Sequence, residues 1–155
     1  MNNAMVFSNL DLKWSYHQIE LDEESREITT FTTHKGLYRY KRLMFGINSA
    51  PELYQHTIAQ ILSDCEGTVN YIDDIVVFGR TEEEHQKRLE KVMKKLEQSG
   101  LTLNKEKCRM NLTEIEFLGF HISSEGVKPT EEKISAIVKA RKPKDATEVR
   151  SFLGL

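Results

Sequence analysis

Tyr71-Ile72-Asp73-Asp74-Ile75 sets two adjacent carboxylates inside an apolar run from Val69 to Phe78. The β-branched and aromatic residues around the pair are those of a strand. Buried carboxylates are costly unless they are paired or hold a metal. Asp-Asp also suits a tight turn, so the stretch reads as a β-hairpin with both aspartates at its tip. Taken alone, such a turn would merely face water. A second strand-like stretch, Met5 to Leu12, carries a lone aspartate, Asp11, near its end. If the two strands are neighbours, Asp11 meets Asp73 and Asp74 at a shared end. Three carboxylates there repel one another. Hard divalent cations, Mg²⁺ or Mn²⁺ rather than zinc, relieve that repulsion. Two such ions form the clamp of in-line phosphoryl or nucleotidyl transfer.

The elements that must position these carboxylates can be read along the chain. Trp14, Ser15 and Tyr16 compact the backbone beside Asp11 as a turn or short helix. Residues 22–27 are acidic and polar. Ile28–Thr33 reads as a strand, His34-Lys35-Gly36 as its turn and Leu37–Arg42 as the return strand, with Tyr38 and Tyr40 on one face and Arg39 and Lys41 on the other. That basic face is either a phosphate-contact surface or a solvated one. Ser49 is the expected N-cap of a helix with Pro51 in its first turn and a stripe of Leu53, His56, Thr57 and Ile61. Thr81-Glu82-Glu83-Glu84 opens a second helix with a capping box, with Leu89, Val92, Met93 and Leu96 as its apolar stripe. Leu101–Leu103 and Glu116–Ile122 read as further strands, and Ser123–Gly126 as a turn. Pro129-Thr130-Glu131-Glu132 opens a helix carrying Ile134, Ile137 and Val138. Asp145 or Thr147 starts a last helix, Glu148 to Leu155, which ends on an apolar run, the mark of a piece of something longer. The resulting order, β-α-(ββ)-α-β-β-α-β-β, implies an α+β fold with an antiparallel sheet and helices on one face.

Composition bounds the class. The 155 residues are 39% apolar and 30% charged, which suits one domain with a sizeable core. Cys65 and Cys108 lack CxxC spacing, and no signal peptide is evident, so an intracellular location with reduced thiols is expected. No apolar run is long enough to span a membrane. The five histidines lack ligand spacing, although His17 lies close to the carboxylates. The net charge of −2 is unevenly spread. Residues 1–80 hold 7 Lys/Arg against 11 Asp/Glu, and residues 81–155 hold 15 against 13. An acidic half beside a mildly basic one fits a nucleic-acid enzyme, although a domain gripping nucleic acid unaided is more basic.

Several ordered stretches resemble reverse transcriptases, most closely those of gypsy-type long-terminal-repeat retrotransposons. They are Phe7–Lys13 through Tyr16-His17-Gln18-Ile19, Phe45-Gly46 through Asn48-Ser49-Ala50-Pro51, Tyr71-Ile72-Asp73-Asp74, Gly100–Asn104 with Glu106-Lys107-Cys108, and Phe117-Leu118-Gly119. The resemblance implies a right-hand polymerase. Residues 1–120 would form the palm with part of the fingers (about 20–44), and 121–155 the start of the segment that follows. Asp11 and Asp73 would ligate two Mg²⁺ or Mn²⁺ ions with the carbonyl of Leu12, and Asp74 would sit beside them. Tyr16 would lie under the incoming sugar and exclude a 2′-hydroxyl. Phe45 and Gly46 would line the nucleotide pocket, Tyr71 would touch the primer end, and Leu118 and Gly119 would belong to a turn gripping the primer. Lys107 is a candidate for protonating pyrophosphate. Implied partners are a primed RNA or DNA template and deoxynucleoside triphosphates. The thumb, ribonuclease H, integrase and protease of such polyproteins have no counterpart here, nor do the upstream fingers. Met44 and Lys105 stand where the family commonly has proline, and Trp14-Ser15 replaces a small Ser-Gly pair. The alternative is a truncated remnant that keeps the palm fold without polymerising. A small sheet-based nucleic-acid-binding module is the third reading; it conflicts with carboxylates that repel phosphate.

Overall fold

The computed structural model describes residues 3–154. Its centre is an antiparallel sheet of four strands in the order β4-β5-β1-β6. These are β1 (Val6–Asp11), β4 (Thr68–Tyr71), β5 (Asp74–Gly79) and β6 (Arg109–Leu112). Strand β5 lies between β4 and β1 and is almost wholly buried, which explains its unbroken apolar run. Alternation along β1 and β5 sends Leu10, Ile75 and Val77 to one face and Phe7 and Val76 to the other. The first face is covered by α2 (Ala50–Ile61) and α3 (Glu82–Gln98), whose Tyr54, Ile58, Leu89, Val92 and Leu96 complete the main core. The second face packs against Ile115, Phe117 and Ile122, from the sheet of β7 (Glu114–Phe117), β8 (Phe120–Ser123) and β9 (Gly126–Pro129). A separate hairpin of β2 (Phe31–Thr33) and β3 (Gly36–Tyr38) follows the short helix α1 (Glu23–Ile28). Helices α4 (Glu131–Val138) and α5 (Ala146–Leu153) end the described chain. The expected α+β class and its antiparallel sheet with helices on one face are present. Among the described residues no helix is long and apolar enough to cross a membrane.

The structure corrects several element readings. Residues 23–28 are helical because the Asp22 carboxylate accepts the Ser25 N–H as an N-cap, so the strand expected from Ile28 begins only at Phe31. Its partner stops at Tyr38 because the Thr29 hydroxyl takes the Tyr40 N–H. Ser49 makes no side-chain cap bond, and its backbone is already helical. The buried stripe of α2 is Ala50, Tyr54 and Ile58; of the expected Leu53, His56, Thr57 and Ile61, only Ile61 packs against the core. Leu101–Leu103 forms only a bridge between Leu12 and Leu103. Glu116–Ile122 is two strands, folded at Leu118-Gly119. Pro129 closes β9, which turn-like Ser123–Gly126 concealed, and Thr130 caps α4. The last helix is capped by Asp145 and spans Ala146–Leu153, while Leu155 lies outside the described residues. Thr81 caps α3 as expected, accepting the Glu84 N–H at 3.1 Å.

Candidate active site

Antiparallel pairing of β1 with β5 puts Asp11 directly opposite Asp74, and pairing of β4 with β5 puts Tyr71 opposite Asp74. Ile72 and Asp73 are therefore the two turn residues. Asp74 belongs to the strand, so the hairpin tip carries one aspartate and not two. Asp11 and Asp74 project from the same sheet face as Asn9 and Val76, since each lies two residues along. The turn is locked to β1 by a hydrogen bond from the Leu12 N–H to the Asp73 carbonyl, 3.1 Å. Beyond it, the Asn104 N–H donates to the Asp11 carbonyl at 2.8 Å and the Asp11 N–H to Cys108 Sγ at 3.4 Å.

Ile72 adopts φ 52°, a left-handed conformation that a β-branched side chain strongly disfavours. Such a residue costs about 1–3 kcal/mol and persists only where its surroundings hold it. The holding group is Gln55 on α2, whose Oε1 accepts the Ile72 N–H at 2.6 Å and whose Nε2 donates to the Asn70 carbonyl at 3.2 Å.

The electrostatics are those of an under-neutralised cluster. Burial first, then the charges of Asp73 and Asp11, push the Asp74 carboxyl above its ordinary range, and the Asn9 amide partly offsets this by hydrogen bonding. Among the described residues the three carboxylates make one ion pair, Lys107 Nζ to Asp11 Oδ2 at 3.6 Å, from a lysine side chain 67% exposed. An all-oxygen, net-negative set suits a hard divalent cation. Among the described residues no three His, Cys, Asp or Glu side chains converge closely enough to enclose an ion. A cation here would take one or two protein carboxylates and complete its shell with water and ligand oxygens, which is the habit of Mg²⁺.

Tyr16 sits in a 3-10 turn (Ser15–Gln18) directly after β1. Its ring meets Phe45 edge-on at 4.9 Å and the fully buried Tyr54 at 5.1 Å. His17 reinforces the group, with Nδ1 3.1 Å from the Leu43 carbonyl and its ring 5.4 Å from Phe45. Gly46 follows Phe45 at φ 89°, a conformation open to glycine, with free space where a Cβ would stand. The carboxylates reach this group electrostatically: burial and then the charge of Asp73 hold the Tyr54 phenol well above its ordinary range. Gln18 secures the turn from behind, its amide bonding both the N–H (2.6 Å) and the carbonyl (3.0 Å) of Thr102.

The structure thus gathers Asp11, Leu12, Asp73, Asp74, Tyr71 and Lys107 at one sheet end and joins Tyr16 to Phe45 and Gly46 beside it. Leu118 and Gly119 lie elsewhere, in the two-residue turn of the β7–β8 hairpin, both at positive φ. Sequence reasoning missed Gln55, Tyr54 and the support from Asn9. Asn9 was legible, lying two residues before Asp11 on a strand. A single glutamine on a helix gives no comparable signal.

Three comparisons bear on this arrangement. The family model described as reverse transcriptase (RNA-dependent DNA polymerase) matches residues 1–122. The retrovirus-related Pol polyprotein from transposon gypsy of Drosophila melanogaster is 36% identical over the whole chain, and the Tf2-3 transposon polyprotein of Schizosaccharomyces pombe is 33% identical over 99% of it. The chain spans only 15% and 12% of those polyproteins. The foamy viral protease-reverse transcriptase dRH in complex with double-stranded DNA superposes with a TM-score of 0.83 and 31% identity. That match covers 97% of this chain and 26% of the viral one. The foamy viral protease-reverse transcriptase in complex with an RNA/DNA hybrid gives a TM-score of 0.77 at the same identity, covering 97% of this chain and 20% of the viral one. The fold is thus shared with the foamy viral enzyme, and the chain belongs to the reverse transcriptase family of RNA-directed DNA polymerases.

Proposed function

We propose that this chain is the palm and part of the fingers of a polymerase that extends a primer with deoxynucleotides on an RNA or DNA template, within a transposon polyprotein. The observation carrying this reading is the Asp11–Asp74 pairing with Asp73 in the adjoining turn. Residues 1–120 form the palm with fingers residues at about 20–44, and 121–155 begin the segment that follows. Thumb, ribonuclease H and integrase functions belong to other parts of such a polyprotein.

Asp11 and Asp73, with the Leu12 carbonyl, would hold two Mg²⁺ or Mn²⁺ ions, and Asp74 would add charge beside them. When bound, such ions lower the pKa of the primer 3′-hydroxyl and stabilise charge on the departing pyrophosphate. The protein supplies the rest. Tyr16, standing on Tyr54 and braced by Phe45, presents a ring under the incoming sugar and excludes a 2′-hydroxyl, the group that separates RNA from DNA. Phe45 and Gly46 line that nucleotide pocket. Tyr71, half exposed beside Asp74, meets the primer terminus, and the Leu118-Gly119 turn grips the primer further back. Lys107 offsets the charge on Asp11 and is the candidate donor of a proton to pyrophosphate.

Primer extension tests the reading. The chain is given a primed RNA of defined sequence, Mg²⁺ and one deoxynucleotide at a time. Incorporation of only the complementary nucleotide is expected. Untemplated addition, or no addition by folded protein, would count against it.

A further inference from the structure

The turn bearing Asp73 is anchored from outside its own sheet. Gln55 spans it with both ends of one amide: Oε1 accepts the Ile72 N–H at 2.6 Å, and Nε2 donates to the Asn70 carbonyl at 3.2 Å. Those two groups flank Tyr71, and Ile72 precedes Asp73. The strand ladder closes at Tyr71 and Asp74, so Ile72 lies beyond it. Ile72 is also held at φ 52°, where a β-branched residue does not settle unaided. An anchor placed there does more than add one hydrogen bond, because it selects the turn conformation that aims the next side chain. The neighbour of Gln55 on α2 is Tyr54, on which Tyr16 rests.

We propose that Gln55 is a positioning residue. By fixing the left-handed Ile72 it aims the Asp73 carboxylate, and it ties that aim to the helix that supports Tyr16. The proposal rests on the polymerase reading for its kinetic consequence, but not for its structural one. Nucleotide binding should be little affected by loss of Gln55. Tyr16 and Phe45 are held by Tyr54 and by the contact of His17 with the Leu43 carbonyl, neither of which involves Gln55.

Two substitutions separate the parts. Gln55→Met keeps the bulk and removes both bonds. Gln55→Glu keeps an acceptor for the Ile72 N–H and removes the donor to Asn70. The first readout is amide hydrogen exchange in the free protein, which needs no activity. In Gln55→Met the Ile72 amide should exchange about tenfold faster or more, while Val76 and Val77 keep their protection. In Gln55→Glu the protection of Ile72 should remain. The second readout is steady-state primer extension. Gln55→Met should lose about tenfold in kcat with nucleotide KM within about twofold, and Gln55→Glu should recover most of the loss. Unchanged Ile72 exchange in Gln55→Met would overturn the anchor. Unchanged kcat, or a loss shared equally with KM, would overturn its positioning role. If the wild-type chain extends no primer, the polymerase reading fails, and Ile72 exchange alone decides whether Gln55 sets the turn.

Discussion

Removing one charge from the carboxylate cluster should stabilise the metal-free chain, and Asp74→Asn is the least disruptive way to do so. Asp74 faces Asp11 across an antiparallel pair, where Cβ atoms lie about 5 Å apart and like charges destabilise. At that separation and an effective dielectric of about 20, two unit charges repel by about 3 kcal/mol. Partial exposure and salt reduce this to about 1 kcal/mol. Asparagine keeps the size of the side chain and an oxygen for the Asn9 amide. For a chain of this length, about 1 kcal/mol corresponds to roughly 3 °C in Tm. The sign follows from linkage. The folded-state pKa of Asp74 lies above its ordinary 3.8, so folding favours the protonated form. That contribution is fully present below the unfolded pKa and is lost as pH rises through the folded one. The gain from Asp74→Asn should therefore be seen at about pH 7, shrink at about pH 4, and shrink again when Mg²⁺ is added at about pH 7. Thermal unfolding with and without chelator measures it. A destabilised Asp74→Asn, or a gain that ignores both pH and Mg²⁺, would refute the repulsion.

Gly79→Ala should cost about 2–3 kcal/mol in urea unfolding, because its new Cβ would stand 2.6 Å from the His85 backbone nitrogen, which cannot move without displacing α3. His85 is 1% exposed, and burial lowers its pKa below 6.5, so its neutral form is the folded one. Its contribution is present above 6.5 and lost as pH falls below it, so wild-type stability should fall between about pH 7 and pH 5 with a slope that flattens in His85→Leu. A slope unchanged in that variant would exclude His85 as its source. Tyr16→Ala should admit ribonucleotides, read as a fall of about tenfold or more in the deoxy-to-ribo ratio of kcat/KM; an unchanged ratio would remove Tyr16 from sugar selection.

What could be read from the sequence followed from how strongly each residue type limits its surroundings. Asp11, Asp73 and Asp74 stood out because carboxylates within apolar strands demand a reason; Asn9, two residues before Asp11 on the same strand face, was legible by the same alternation but was missed. The capping of α3 was legible because Thr followed three residues later by Glu is a helix-start signal, and Thr81 does accept the Glu84 N–H, while the Glu84 carboxylate takes the Arg80 N–H. Helix α1 was missed because it buries none of its residues and so carries no apolar stripe. The fold at Leu118-Gly119 was hidden from the residue pattern, because leucine is an unusual residue for positive φ and the flanking run reads as one strand; a turn there was expected only through the family resemblance. Strand β6 escaped notice because its residues are mostly exposed and follow a charged loop. Gln55 was invisible for a different reason: its role depends on which backbone lies opposite α2, and only the tertiary fold determines that.

We propose nucleotidyl transfer by the carboxylates that β1 and β5 assemble. Its most direct test is primer extension by the wild-type chain and by Asp73→Asn, side by side on a primed homopolymer RNA with deoxynucleotides and Mg²⁺ or Mn²⁺. Circular dichroism would show that both are folded. Metal-dependent extension by the wild type, lost by about a hundredfold or more in Asp73→Asn, is the expected result. Equal extension by the two proteins would contradict the assignment of Asp73, and with it the account of the site.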